Sequence, residues 1–458
     1  MKTGLLGRVA DLQAALDNLV RRHRVPGASL AVMDGEQSVQ LVTGLANRTS
    51  AVEVTPATLF QIGSITKLYT ATLVMQLVDE GRLQLDQPLV TYLPGLTLRA
   101  PATAAAVTVA QLLNHTSGIV GDYFGDFGSG DECIARYVSA LSELEAAHPP
   151  GQLFSYSNGA FSVAGHLIEQ ITGQPFHQVF DERLRKPLGL EETMLLPEEM
   201  LAFRYAIGHE RRSRTGESTP VREVLLPRSG MPAGSHTSAT AADVLRFARM
   251  HLSGGRTAAG KTLLSPASVA WMQQPTVSYP GQVGASWGLG WMLGDWNGAR
   301  VIGHRGATFG QLAYLFLLPE RDFGVCLLTN GEGGRALWDE FGRWLFSDLA
   351  GVEMVGTPKP LGPDHDLDLN LYTGRYERFA NHYELQVQDS ALQMTLVSNE
   401  PGEDGRPHHF RLEPVNATQF ITYVEELPEL VTFLEFDSAG RPGYLNFSSR
   451  AAARTEQS

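Results

Sequence analysis

Phe60-Gln61-Ile62-Gly63-Ser64-Ile65-Thr66-Lys67-Leu68-Tyr69 opens a helical pattern that runs to about residue 80. Ser64 and Lys67 lie three apart at its start, so their side chains share a face. Ser64 is predicted at the helix N-terminus, where free N–H groups and the dipole favour a developing negative charge. A serine nucleophile needs an adjacent base, and a lysine serves only if burial strips its proton. Leu73, Val74, Leu77 and Val78 make this helix apolar enough for such burial. The chain has only five lysines against 31 arginines, and Lys67 is one of them. The same residues also read as a serine cap with a solvated lysine one turn on, so the pair needs support from elsewhere.

Two other stretches supply it. Pro149-Pro150-Gly151-Gln152-Leu153-Phe154-Ser155-Tyr156-Ser157-Asn158 leads into a helical run through Phe161, Ala164, Ile168 and Ile171, ending at Gly173. Tyr156 and Asn158, two apart just before a helix, can project into one cleft. A tyrosine beside a lysine cation can have its pKa drawn down and act as general base. An asparagine can bridge the base and a substrate amide. The plain alternative is a packed tyrosine ring and an asparagine helix cap. The second stretch is Val301-Ile302-Gly303-His304-Arg305-Gly306-Ala307-Thr308-Phe309-Gly310. Here a strand ends in a glycine-rich edge. Gly306 lets a substrate backbone lie close, and the Ala307 N–H can face an oxyanion together with that of Ser64. His304 is expected as a donor or electrostatic contact beside them. Arg305 has two readings, a carboxylate contact or a surface arginine.

Together these stretches resemble the serine β-lactamase and penicillin-recognising family, in particular its class C β-lactamase, D-aminopeptidase and esterase branch, also called the CubicO group. That branch carries S-x-x-K, then Y-x-N, then K-T-G or H-x-G. Ser64/Lys67, Tyr156/Asn158 and His304/Gly306 fill the pattern in order. The segments Val109 to Gly118, Leu184 to Leu190 and Trp287 to Trp291 also look like the family's, and the likeness covers about residues 8–350. It implies acyl transfer. Ser64 attacks a carbonyl, Tyr156 with Lys67 takes its proton, the Ser64 and Ala307 N–H groups hold the oxyanion, and Asn158 orients the substrate. Water then releases the acyl group. The third motif is His-Arg-Gly. In the family the lysine form accompanies efficient β-lactam turnover, while the histidine form is common in esterases and peptidases. A peptidase, amidase or esterase on small substrates, D-residues included, is therefore expected ahead of a β-lactamase with weak or promiscuous activity. A non-catalytic binding protein on the same scaffold is the remaining alternative, disfavoured because every motif position is filled. Asp122-Tyr123-Phe124-Gly125-Asp126-Phe127-Gly128 is read as a loop that lines the cleft. No role is assigned to His236.

Outward from these motifs, Ala28 to Met33 and Ser38 to Val42 read as a hairpin turned by Asp34-Gly35-Glu36-Gln37. Strands recur at 288–293, 300–304, 312–318 and 324–329, before a helix over 334–350. Strands at both ends with helices between predict an α+β domain whose sheet is completed by distant segments. The resemblance makes this a β-lactamase/transpeptidase-like fold, an antiparallel sheet flanked by helices with a helical subdomain, over residues 1–353. Three prolines and two glycines between Val355 and Pro363 mark a linker, taken as 354–366. Short alternating strands over 367–458 predict a small all-β barrel or sandwich, similar to the lipocalin-like module of some peptidases in this group.

The chain has 458 residues and a formal charge of −13, unevenly placed. Residues 360–458 hold 7 Arg, no Lys and 16 acidic residues, a net of −9, leaving −4 for the rest. An acidic balance argues against nucleic acid or an anionic membrane as partner. A small molecule or short peptide, with a possible second copy of the chain, is the expected partner. Cys133 and Cys326 make neither a disulfide framework nor a zinc site, and no H-E-x-x-H occurs. His408-His409 is read in a turn. No metal or cofactor is expected. Arg8, Asp11, Gln13, Asp17 and Asn18 interrupt Leu5, Val9, Leu12, Leu16 and Leu19, which reads as an amphipathic helix rather than a secretion signal. A cytoplasmic location follows as an expectation.

Overall fold

The structure is a computed structural model describing residues 4–211, 216–362, 365–399, 407–424 and 426–455. Two strands near the start, β1 (Gly27–Asp34) and β2 (Gln37–Asn47), form the expected hairpin, and a short β3 (Val52–Glu53) follows. Six strands come from far along the chain: β4 (Val277–Ser278), β5 (Ser286–Trp287), β6 (Met292–Trp296), β7 (Ala299–Thr308), β8 (Gln311–Leu318) and β9 (Phe323–Thr329). They join into one sheet in the order β3-β2-β1-β9-β8-β7-β6-β5-β4. β1 pairs antiparallel with β9, Ala31 opposite Cys326, which closes the sheet across nearly the whole domain.

Both faces of the sheet are covered, so its central strands are apolar throughout rather than alternating. Leu30 and Val32 of β1 face a core shared with helices α1 (Val9–Arg22) and a C-terminal helix at Gly334–Leu345. Ala31 and Met33 face a larger core built on three helices: α2 (Thr66–Asp79), α3 (Asn158–Thr172) and α4 (Ala241–Leu252). The C-terminal helix is α5. α1 is amphipathic as expected, with Leu12, Leu16, Leu19 and Val20 buried. α2 is buried from Thr66 to Leu77 with no solvent face, the mark of a central helix.

A second core fills a closed barrel of eight antiparallel strands: β10 (Gly374–Glu377), β11 (Asn381–Gln388), β12 (Ala391–Ser398), β13 (His408–Pro414), β14 (Gln419–Val424), β15 (Leu427–Phe436), β16 (Pro442–Phe447) and β17 (Arg450–Thr455). Tyr376, Tyr383, Met394, Phe420, Phe433 and Leu445 fill it.

Two expectations need correction. Residues 288–291 are not strand: Gly290 sits at φ +87°, and the Gly288 N–H donates to the Trp291 carbonyl, turning the chain between β5 and β6. His408 and His409 are not in a turn but begin β13, both exposed. No helix among the described residues is long and apolar enough to cross a membrane.

Candidate active site

Gly63 takes φ +49°, a conformation that costs an L side chain, and so bends the chain from the short strand Phe60–Gln61 into a single 3-10 turn, Gly63–Ile65. Ser64 lies in that turn, two residues before α2 begins at Thr66. Gly306 on β7 packs against the same turn. A methyl group there would stand 1.9 Å from the Ile62 carbonyl oxygen and 3.2 Å from the Ser64 nitrogen. This contact needs glycine, and it brings the Ala307 backbone beside that of Ser64.

Lys67, the second residue of α2, has no exposed surface. Its Nζ lies 2.9 Å from Ser64 Oγ, 2.7 Å from Asn158 Oδ1 and 2.8 Å from the Ala233 carbonyl oxygen. Burial pushes the amine well below its ordinary pKa, and the Arg450 guanidinium adds like-charge repulsion. A neutral amine has two hydrogens and one lone pair. The Asn158 and Ala233 oxygens can only accept, so the lone pair is left for the Ser64 hydroxyl hydrogen.

Asn158 reaches Lys67 because it is not the helix cap. Ser157 caps α3, accepting from the Ala160 N–H at 2.9 Å, and Asn158 is the first helical residue. Tyr156 stands just before it, its ring centre 4.9 Å from Lys67 Nζ. Burial raises its phenol above the ordinary tyrosine value, and the contact with Ser64 offsets this only in part. The expected lowering of its pKa is thus reversed: the pocket shifts the lysine down and the phenol up, favouring the neutral form of each. His115 supports this loop, its ring 4.2 Å from that of Tyr156 and its Nδ1 accepting from the Ser157 N–H at 3.0 Å.

His304 is 2% exposed. Its Nδ1 lies 2.6 Å from the Arg305 carbonyl oxygen, so Nδ1 carries the proton and Nε2 is a bare acceptor. Burial, with Lys67 nearby, holds its pKa down at about 3. His304 is therefore an acceptor near neutral pH, where a donor or an electrostatic contact was expected.

Ser64, Tyr156, Asn158, His304, Gly306 and Ala307 line one cavity of about 650 Å3, with Lys67 beneath it. Tyr123 and Phe124 of the aromatic loop line it too, as does Arg450. Three participants were not singled out in the sequence. The Ala233 carbonyl is backbone and leaves no residue signature. His115 lies in a stretch noted only as a flank. Arg450 comes from the barrel, where Ser448 and Ser449 turn β16 into β17. The Tyr156 N–H donates to the Ser449 carbonyl at 2.8 Å, and the Arg450 guanidinium lies 5.2 Å from the Tyr156 ring centre. Asp122 fixes that guanidinium at 2.6 Å and also accepts from Arg378 at 2.8 Å. His236 gives a ring nitrogen to the Leu226 carbonyl at 2.7 Å and is absent from the cavity wall.

A two-sided antiparallel sheet with a central helix that presents a serine to a buried lysine defines a penicillin-recognising type of scaffold. The chain belongs to the Beta-lactamase family, whose profile matches residues 12–341. It is 41% identical over 376 residues to Penicillin-binding protein 4 of Amycolatopsis lactamdurans, covering 81% of this chain and 97% of that protein. Among solved structures, SurE superposes with a TM-score of 0.78 at 29% identity, covering 97% of this chain and 99% of SurE, which has also been solved with D-Leu. The D-amino acid amidase of Ochrobactrum anthropi SV3 gives a TM-score of 0.60 at 26% identity over 70% of this chain and 91% of the amidase.

Proposed function

We propose that the chain is a serine hydrolase that forms an acyl-enzyme on Ser64 and cleaves amide or ester bonds of small peptides or amino-acid derivatives, D-residues among them. The observation that carries this reading is the fully buried Lys67 amine, its pKa pushed well down by burial, 2.9 Å from the Ser64 hydroxyl. Ser64 Oγ bonds to the substrate carbonyl carbon as its proton passes to Lys67 Nζ. The Ser64 and Ala307 N–H groups receive the oxyanion. When the intermediate collapses, the bond to the leaving amine or alcohol breaks, and the proton returns from Lys67 through the Tyr156 hydroxyl. Water repeats the sequence on the acyl-enzyme. Tyr156 thus relays a proton, and Lys67 is the base. A D-amino acid amidase and a structure with D-Leu among the relatives support the D-residue reading.

A fluorophosphonate probe and a panel of nitrophenyl esters, L- and D-aminoacyl nitroanilides and nitrocefin test this. The probe is expected to label the native chain at Ser64, and Ser64→Ala to lose both label and turnover, with D-aminoacyl nitroanilides or esters cleaved faster than nitrocefin. Turnover that survives in Ser64→Ala overturns the scheme. Faster nitrocefin cleavage turns the assignment to a β-lactamase.

A further inference from the structure

The cavity does not end at Ser64. It passes Gly306 and Ala307 and continues on the other face of the sheet, beneath the barrel. The β6–β7 ladder stops at Met292 opposite Gly303, so β7 from His304 onward has no partner on that side. The alternation of the strand sends His304 toward Ser64 and Arg305 toward α5. The Arg305 guanidinium lies 5.9 Å from the Phe316 ring centre, within the core on the α5 face.

This second lobe has a distinct character. Tyr314, opposite Arg305 in the β7–β8 ladder, stacks on Trp338 of α5 at 4.8 Å and 6° and forms an aromatic floor. Pro428 and Glu429 of β15 form the roof, tied down by Arg335, which donates to the Pro428 carbonyl at 3.2 Å and pairs with Glu429 at 3.4 Å. The segment 355–358 closes the side. Arg335 is neutralised by Glu429, and Arg343 by Asp339 at 3.1 Å. Arg305 has no carboxylate partner among the described residues; the Phe316 ring is its contact. An exposed, uncompensated guanidinium at the edge of an aromatic floor suits a ligand with an apolar group and a carboxylate. The combined space is that of a ligand well beyond one amino acid.

We propose that this lobe is a second subsite of the Ser64 cavity, which takes the distal part of an extended peptide substrate, its apolar side chain on Tyr314 and Trp338 and its carboxylate on Arg305. The proposal rests on the acyl-enzyme reading and names the substrate class: peptides longer than a single aminoacyl unit, acidic at the end remote from the scissile bond. The peptide runs along the free edge of β7 as an added strand.

Three forms of one peptide test it by calorimetric titration: acetyl-Phe-Ala-D-Ala amide, its succinyl-capped form and its free acid. The second and third place a carboxylate at opposite ends and so identify which end reaches Arg305. The native chain is expected to bind the succinyl-capped form, whose carboxylate is remote from the C-terminal scissile bond, about tenfold more tightly than the neutral amide, the scale of one charge-assisted contact. In Arg305→Gln that preference falls to unity. Gly356 lines the lobe, and a methyl group built there meets nothing within 4 Å, so a side chain can start there; Gly356→Trp is expected to crowd the lobe and weaken all three peptides. Equal affinity for the three peptides in the native chain, or a preference that survives Arg305→Gln, overturns the subsite. Fluorophosphonate labelling is measured alongside. A Ser64 that takes no label overturns the acyl-enzyme reading, and the affinities still decide the subsite.

Discussion

In the proposed reaction Lys67 and Tyr156 divide the proton work by burial. Both carry an ionisable group in a nearly dry pocket, and a dry pocket favours the neutral form of each. For the lysine that form is the base; for the tyrosine it is the acid. Activity should therefore rise with pH through a value below the ordinary lysine pKa of 10.5, as the amine sheds its proton. Lys67→Arg puts in a guanidinium that stays charged and cannot deprotonate near neutral pH, and is expected to lower kcat/KM about 10²–10⁴-fold, the usual worth of a general base. Tyr156→Phe should cost less and leave the rising limb of the profile in place. Kinetics of the two variants from pH 5 to 10 check this, and a rising limb lost in Tyr156→Phe but kept in Lys67→Arg would give the base role back to tyrosine. The candidates were legible from spacing together with the resemblance to the family: Ser64 and Lys67 one helical turn apart, Tyr156 and Asn158 at a helix start. Their roles were not, because a pKa shift comes from what surrounds a group, and the burial of Lys67 is set by helices distant in sequence.

At the scale of the element, the β16–β17 hairpin holds the site closed on its tyrosine side. Its two turn residues, Ser448 and Ser449, both take left-handed φ values, +51° and +68°, where Asn-Gly is the usual choice. Tertiary bonds hold this unfavourable pair: Ser448 Oγ to Glu429 at 2.7 Å, and Ser449 Oγ with the Tyr279 hydroxyl at 2.8 Å. Without turn residues of the expected type, and with an alanine-rich strand after them, the turn and β17 gave no signal in the sequence, although Tyr444 to Phe447 of β16 reads as a strand. β13 was missed, its start at His408-His409 being read in a turn, whereas Tyr383 to Gln388 and Leu392 to Leu396 alternate as β11 and β12 require. Asp122 is the counterpart anchor, with a side chain only 15% exposed between Arg450 and Arg378. Asp122→Asn leaves two guanidinium groups without their carboxylate. Urea unfolding is expected to show a loss of about 3 kcal/mol, the lower end for breaking one side of a buried pair. A loss below about 1 kcal/mol, the scale of a surface pair, would mean that the barrel is held by its other contacts instead.

On the scale of the whole molecule, the architecture was legible where strands at both ends of the domain demanded one sheet. The charge asymmetry of the barrel, −9 against −4, gave no hint that it contributes a cation to the site, because Arg450 acts by position and not by number. A different charge property of the fold governs its behaviour in acid. His251 and His304 are both held neutral by burial, with pKa values near 3, and His115, His148, His209 and His236 are also lowered. Each is protonated in the unfolded chain below about pH 6.5 but resists the proton when folded. The unfolded state then binds more protons, so stability falls as pH drops, by about 1.4 kcal/mol per pH unit for each such group. For His251 and His304 the window runs from about pH 6.5 down to their folded values near 3. His251, packed between Phe247 and Trp291 and bonded to Thr72 Oγ1 at 3.1 Å, is remote from Ser64 and isolates the effect. Unfolding free energies at pH 6, 5 and 4 should fall steeply in the native chain, and His251→Gln should flatten the slope by about 1.4 kcal/mol per unit. An unchanged slope would mean that the folded chain admits a proton at His251 and that carboxylates, not buried histidines, drive acid unfolding.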